Sequence, residues 1–233
     1  NKIMNFKRES GRDAKSNKLL FSQNITFSKG VTKIESLPIE TVPEVAFFGR
    51  SNVGKSSLLN SITNKSKLAY TSKSPGRTRE LNFFSLNKNS KTLINIVDMP
   101  GYGFAKASKG QIKEWTNLSD LYLKTRKNLR RVFLLIDSRR KIMPIDNEIM
   151  DVMDDFAISY QIVLTKTDKI LKVENLAELV LKEVERRKAI FPRVLVTSSK
   201  SKIGIGEIRE EIISLINWVI KMNENNNGAK DWL

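Results

Sequence analysis

Short apolar runs along the chain alternate with longer stretches in which apolar residues recur every three to four positions. Val45-Ala46-Phe47-Phe48, Leu93 to Val97, Val132 to Ile136, Ile162 to Leu164 and Val194 to Val196 are strand-length apolar runs, and Phe83 to Leu86 supplies another. Runs of this kind suit strands buried on both faces of a mostly parallel sheet. Between them, Ile145, Ile149, Val152, Met153 and Phe156 fall on one helical face, Leu176, Leu179, Val180 and Val184 on a second, and Ile208, Ile212, Leu215, Ile216 and Val219 on a third. The pattern predicts an α/β fold with helices covering both faces of the sheet, and these stripes, like Trp115, Leu118 and Tyr122, are read as core. No internal repeat is visible. Asn1 to Ser22 carries Lys2, Lys7, Arg8, Arg12, Lys15 and Lys18 without sustained periodicity, so residues 1–22 are expected to form a flexible basic arm. Residues 223–233, which include three consecutive Asn, are expected to be a frayed polar tail, leaving residues 23–222 as the folded domain.

Composition narrows the chemistry. A chain of 233 residues suits one domain with short extensions. It contains no Cys and no His, which removes disulfides, thiolate nucleophiles, imidazole acid–base catalysis and the common zinc sites. Carboxylates, Lys, hydroxyls, backbone N–H groups, a metal or the substrate itself must then do any chemistry. No apolar run has the length of a membrane span, and no secretory apolar segment is present, so membrane insertion is not expected. The sequence opens on Asn1, as a trimmed or processed chain would. It is expected in a cytoplasm, or in an organelle stroma or matrix where an upstream targeting segment has been removed.

Charge points to a polyanion. Against 25 Asp+Glu there are 41 Lys+Arg, a net +16. Residues 1–131 hold 25 basic and 9 acidic side chains, whereas residues 132–233 hold 16 of each. The whole excess lies in the first part of the chain, as expected of an RNA-facing surface.

Directly after the first apolar strand comes Gly49-Arg50-Ser51-Asn52-Val53-Gly54-Lys55-Ser56, followed by Ser57 and a helix-like segment. This is the GxxxxGK[ST] phosphate loop in its strand–loop–helix context. The two glycines let the backbone wrap a phosphate chain, Lys55 reaches the β- and γ-phosphates, and the Ser56 hydroxyl suits Mg²⁺. Asp98-Met99-Pro100-Gly101 follows a second strand: Asp98 suits a Mg²⁺-bound water, and the Gly101 N–H can sense a γ-phosphate. Thr165-Lys166-Thr167-Asp168 ends a third strand. There the Asp168 carboxylate can accept paired hydrogen bonds from guanine N1–H and N2–H₂, with the Lys166 stem against the purine. Thr197-Ser198-Ser199 follows the last strand, where a backbone N–H could meet guanine O6.

With these elements in order, the chain resembles the Ras-like GTPases. It is more similar to the EngB (YihA/YsxC) family of ribosome-assembly GTPases, within the TrmE-Era-EngA-EngB-Septin-like class. The phrases that carry the likeness are Pro43 to Leu58, Ser74-Pro75-Gly76-Arg77-Thr78, Asn82-Phe83-Phe84, Val97 to Ala105, Leu135-Ile136-Asp137-Ser138-Arg139-Arg140 and Thr165 to Asp168. The resemblance implies a three-layer P-loop fold with six strands, the second antiparallel. It implies a monomer that binds GTP and GDP, hydrolyses GTP and acts as an assembly factor for the large ribosomal subunit, with ribosomal RNA as partner. It also implies Thr78 as the threonine that closes over Mg²⁺ and the γ-phosphate, in a segment between Leu68 and Arg79 that is mobile without triphosphate. Lys55, Thr78 and Gly101 would then form the catalytic set, and Ser56, Thr78 and Asp98 the metal set.

Two departures bear on mechanism. Tyr102 stands where Ras-like enzymes carry a water-orienting Gln, which implies slow intrinsic hydrolysis. Asn52 resembles the K⁺-ligating Asn of potassium-activated GTPases, although a loop-shaping hydrogen bond would also account for it. Thr165 replaces the usual Asn of the base motif. Arg139 and Arg140 are either RNA contacts or a solvated loop, and the run Lys124, Arg126, Lys127, Arg130 and Arg131 is expected to face the ribosome. A P-loop ATPase or small-molecule kinase would share the phosphate loop but not the Thr-Lys-Thr-Asp motif. An RNA-binding module with a structural nucleotide site would bind RNA regardless of nucleotide state.

Overall fold

A computed structural model of the chain describes residues 11–66, 68, 80–103, 118–171 and 173–228. Its strands are β1 (Ile25–Val31), β2 (Glu44–Gly49), β3 (Leu81–Lys88), β4 (Lys91–Asp98), β5 (Leu129–Asp137), β6 (Tyr160–Thr165) and β7 (Leu195–Val196). Its helices are α1 (Gly11–Asn24), α2 (Lys55–Thr63), α3 (residues 118–125), α4 (Pro144–Asp155), α5 (Leu176–Val184) and α6 (Ile205–Gly228). The strands form one sheet in the order β1-β3-β4-β2-β5-β6-β7. Parallel pairing runs from β4 through β2, β5 and β6 to β7, while β3 is antiparallel to both β4 and β1.

Alternation along the strands builds two cores. Val45 and Phe47 of β2, with Phe133 and Leu135 of β5, pack with Phe21, Leu58, Ile62, Ile208 and Ile212 from α1, α2 and α6. Ala46 and Phe48, with Val132 and Leu134, pack on the other face with Tyr122, Met150, Met153 and Val184 from α3, α4 and α5. A two-residue period delivers successive side chains to opposite faces, so each apolar run serves both layers. Leu118 and Tyr122 lie in the core as expected; Trp115 lies outside the described residues. Among the described residues no helix is long and apolar enough to cross a membrane.

The structure corrects the expected boundaries. The six-stranded pattern, with its second strand antiparallel, holds for β2 to β7, and β1 is added at the edge. Only the two ends of β1 are buried and Lys29 lies on its exposed stretch, which is how an edge strand escapes an apolar pattern. The expected flexible arm is helical from Gly11 onward: Phe21 is fully buried against the sheet while Lys15 and Lys18 stay exposed. The expected tail continues α6 to Gly228, extending a helix already anchored by Ile208, Ile212, Leu215 and Ile216. Phe156 caps the end of α4 and is exposed, and Leu179 projects from α5 opposite the side formed by Leu176, Ala177, Val180, Leu181 and Val184.

Two members of the basic run are structural rather than surface groups. Arg126 donates to both carboxylate oxygens of fully buried Glu44 (Nε 2.9 Å, Nη2 2.7 Å) and to the Pro38 carbonyl, and Tyr122 donates to the same carboxylate at 2.9 Å. Arg131 donates to Glu211 at 2.9 Å, and Arg193 takes the other oxygen of that carboxylate at 2.8 Å. Glu44→Gln removes the charge facing Arg126 at the start of a central strand. Buried pairs cost about 3–5 kcal/mol to break. Glu40, 3.5 Å from Arg126, and the Pro38 carbonyl remain, so a loss near the lower bound, about 3 kcal/mol, is expected in urea unfolding.

Candidate functional site

The phosphate loop leaves β2 at Gly49 and enters α2 at Gly54. A Cβ on Gly49 would come within 2.9 Å of the Leu135 backbone oxygen and side chain, so the close approach of β5 requires glycine there. Gly54 has φ of +104°, in the left-handed region, and caps α2 without a side-chain hydrogen bond. The first-turn N–H groups of α2 are thereby left to an anion.

The Asp98–Gly101 segment is joined to this loop through backbone. Met99 N–H donates to the Phe47 carbonyl (3.1 Å), Tyr102 N–H to Gly49 (3.2 Å) and Ser51 N–H to Tyr102 (3.0 Å). A Cβ on Gly101 would approach Ser51 at 3.1–3.2 Å, so this glycine allows the two segments to nest. Lys55 and Asp98 form an ion pair between largely buried groups. In this arrangement the predicted phosphate-binding cation and metal-side carboxylate occupy one another.

The base motif is fastened to the same loop. Thr165, buried at the end of β6, donates its hydroxyl to the Val53 carbonyl at 2.7 Å. Thr165, where the general motif has Asn, therefore ties the base motif to the phosphate loop by a hydrogen bond. Lys166 Nζ donates to the Asn52 carbonyl (2.6 Å) and to Asp137 (2.9 Å), and its stem passes over Gly54. Burial pushes the Asp137 carboxyl up, but hydrogen bonds from Arg139 and Lys166 outweigh it and hold the group well below the usual carboxylate range. Asp137 is the strut that sequence reasoning missed. Its signal was the same as that of Asp98, a carboxylate at the carboxyl end of a buried strand. Arg139 is bonded to both Asp137 oxygens, whereas Arg140 is exposed.

Thr167 donates its hydroxyl and N–H to the Thr197 carbonyl, joining the base motif to the last loop. Ser198 donates its hydroxyl to Asp168 at 2.6 Å, which is the main cause holding that exposed carboxyl below its ordinary range. The Thr197 and Ser198 N–H groups bond to the Leu164 and Ile203 carbonyls. Thr78, Pro75, Gly76 and Arg77 lie outside the described residues, as does most of the expected mobile segment.

A family model described as a 50S ribosome-binding GTPase matches residues 44–166, more than half of the chain. A probable GTP-binding protein EngB from Hyphomonas neptunium is 47% identical over 201 residues, covering 85% of this chain and 90% of that protein. The chain belongs to the EngB family of GTP-binding proteins. A second EngB relative, from Caulobacter vibrioides, is 45% identical over 85% of this chain and 86% of its own length. The crystal structure of a probable GTP-binding protein EngB has a TM-score of 0.60 at 25% identity, covering 75% of this chain and 98% of that one. Aquifex aeolicus Era bound to GDP·AlF₄⁻ shares the fold, with a TM-score of 0.62 at 24% identity over 74% of this chain and 56% of its own.

For an EngB GTPase the donor set fits Mg²⁺. Among the described residues no cluster of three or more His, Cys, Asp or Glu could enclose a metal. One hydroxyl at Ser56 and one carboxylate at Asp98, completed by phosphate oxygens and water, suit a hard octahedral cation that keeps much of its water. Tyr102 does not replace the missing Gln. Its phenol donates to Asp146 at 2.7 Å and its ring meets Phe48 edge-on, and burial, with the Asp146 charge, pushes its ionisation far above the ordinary range. It remains a neutral phenol directed at α4.

Proposed function

We propose that the chain is a cytoplasmic, monomeric, slowly hydrolysing GTPase whose nucleotide state governs its action in assembling the large ribosomal subunit, with ribosomal RNA among its contacts. The observation that carries the nucleotide reading is the direct fastening of the phosphate loop to the base motif through Thr165 and Lys166, which brings segments over 100 residues apart into contact. The ribosomal half rests on the family description, which names the 50S ribosome.

In this reading Gly49 to Ser57 cradle the phosphates, and Lys55 exchanges Asp98 for the β- and γ-phosphates. Ser56, Asp98 and Thr78 hold Mg²⁺, which supplies charge neutralisation at the transferred phosphoryl group. Gly101 N–H and the Pro75–Thr78 segment report the γ-phosphate. Asp168 selects guanine, Lys166 covers the ring, and Ser199 is the O6 donor, because the other two N–H groups of its triplet are already used. Sucrose-gradient sedimentation with ribosomal subunits is the test. Co-sedimentation with the large subunit should differ between GDP and a non-hydrolysable GTP analogue, and identical profiles would remove the switch reading.

K⁺ stimulation is a separate expectation resting on Asn52, which is exposed and has φ of +65°. Turnover in KCl should exceed that in NaCl at equal ionic strength by about tenfold, well below the 10³–10⁵ of an arginine finger. Asn52→Gly keeps the left-handed backbone and deletes the ligand, so it should erase the difference while preserving GDP affinity. Equal rates in the two salts for the parent chain would assign Asn52 to loop shape alone.

A further inference from the structure

At the opposite end of the sheet from the phosphate site lies an open groove of about 640 Å³ between α3, the amino end of β5, the loop before β6 and α6. Arg130 and Asp137 are seven residues apart on β5, so the two ends are separated by about 23 Å. The floor is apolar, with Leu129, Ile158 and Leu215 among its residues. Two aromatic rings stand at its rim, Phe156 at 51% and Trp218 at 49% exposure. Each has a cation beside it: Lys124 Nζ is 4.7 Å from the Phe156 ring centre, and the Arg130 guanidinium is 5.9 Å from that of Trp218.

Every charged side chain lining the groove is basic. Arg126 and Arg131 are neutralised from behind by Glu44 and Glu211, and Lys124 pairs with Asp120. Lys127 stands exposed, and the Arg130 Nε is buried with no hydrogen-bond partner among the described residues. These features match a polyanion carrying flat π-surfaces. β5 is a central strand, flanked by β2 and β6, so the groove offers no free sheet edge to an extended acidic peptide.

We propose that this groove binds an unpaired RNA strand, with bases stacking on Phe156 and Trp218 and phosphates meeting Lys127 and Arg130. Being remote from the phosphate loop, it is a standing contact that does not change with nucleotide state. The identity of the RNA as ribosomal rests on the function proposed above; the groove's chemistry does not. Part of the basic excess in residues 1–131 therefore lies in this groove, at the far end of the sheet from the phosphate loop.

The test is anisotropy with the full chain, a fluorescein-labelled 12-nucleotide single-stranded RNA, the same sequence as a duplex, and a poly-glutamate peptide, each in GDP and in a GTP analogue. Single-stranded RNA should bind in preference to the duplex, with affinities within about twofold in the two nucleotide states. Trp218→Ala and Phe156→Ala, both at exposed positions, should each weaken it by about 5-fold to 100-fold, the range for loss of one stacked base. Trp218→Phe should retain most of the affinity, Lys127→Gln should lower the salt slope by about one, and GDP affinity should be unchanged throughout. Unaltered RNA binding by the aromatic variants, or preferential capture of poly-glutamate that those variants lose, would overturn the proposal. If the parent chain sediments with ribosomal subunits and Trp218→Ala does so equally with normal oligonucleotide affinity, the groove fails while the ribosomal function stands. Oligonucleotide binding at the groove without any ribosomal sedimentation would do the reverse.

Discussion

Lys55→Ala is expected to slow single-turnover GTP hydrolysis by about three orders of magnitude, the scale seen when one preorganised charge-stabilising group is removed from a transition state. In the described arrangement Lys55 faces Asp98. Under the proposed function, a triphosphate entering the loop would bring oxygens that replace Asp98 as the ammonium's partner, and the carboxylate would then be free to help hold Mg²⁺. Alanine removes the group whose attraction grows as charge develops on the transferred phosphoryl, so the rate should fall more than the affinity. Affinity for GDP should fall less than for GTP, because the γ-phosphate contact is lost only with GTP. The nucleotide-free variant should also melt earlier, since Asp98, only 4% exposed, loses its counter-charge. Single-turnover kinetics with both nucleotides titrated would check this, and wild-type rates in the variant would remove Lys55 from the catalytic set.

The central fold was legible because strands buried on both faces cannot conceal their apolar runs. Val132 to Ile136 and Val45 to Phe48 are continuous for that reason, and so are their positions in the sheet's interior. What escaped belongs to the periphery. β1 is held by its ends and by pairing to β3, and backbone hydrogen bonds leave no trace in side-chain pattern. α1 is anchored largely through Phe21 and the partly buried Leu20, too few apolar positions to outweigh the lysines around them. Phe156 followed the helical period to its last member but lies beyond the end of α4, where that period no longer sets direction.

The geometry of the candidate site was legible where chemistry demands a residue type at a set spacing: Gly54 takes the left-handed turn into α2, and Lys55 meets Asp98. It was illegible where a group serves another group. Asp137 holds Lys166 and Arg139 from a strand end whose phrase gives the carboxylate no role of its own, and the hydroxyl bond from Thr165 to the phosphate loop depends on β6 ending beside Val53. Charge was the least specific signal. Arg126, Lys127, Arg130 and Arg131 sit in one basic run and all line the same groove, yet Arg126 and Arg131 answer buried carboxylates while Lys127 stands exposed. Only the third dimension separates those cases.

Asp168→Asn should lower GTP affinity by at least ~100-fold and create binding of xanthosine triphosphate, a change in base preference that loss of a structural residue would not produce. Ser198 donates to one Asp168 oxygen and holds the carboxyl below its usual range, so the group is ionised and accepts hydrogen bonds throughout the neutral region. Guanine offers N1–H and N2–H₂, two donors in parallel, which a carboxylate accepts together. An amide presents one acceptor and one donor, and its NH₂ would oppose the guanine amino group. Xanthine carries a carbonyl at that carbon, so N1–H donates to the Asn oxygen while the Asn NH₂ donates to the base. Adenine has neither feature and should stay excluded from both forms. The depressed carboxyl also sets the pH response: protonation would abolish the acceptor pair only below the ordinary Asp value of about 3.9, so GTP affinity should form a plateau from pH 8 down to about 5. Fluorescent GTP, ATP and xanthosine nucleotides titrated into both forms decide the matter. Preference of the parent chain for ATP would return the phosphate loop to the ATPase or kinase reading, and an Asp168→Asn variant with undiminished GTP affinity would take guanine selection away from this carboxylate.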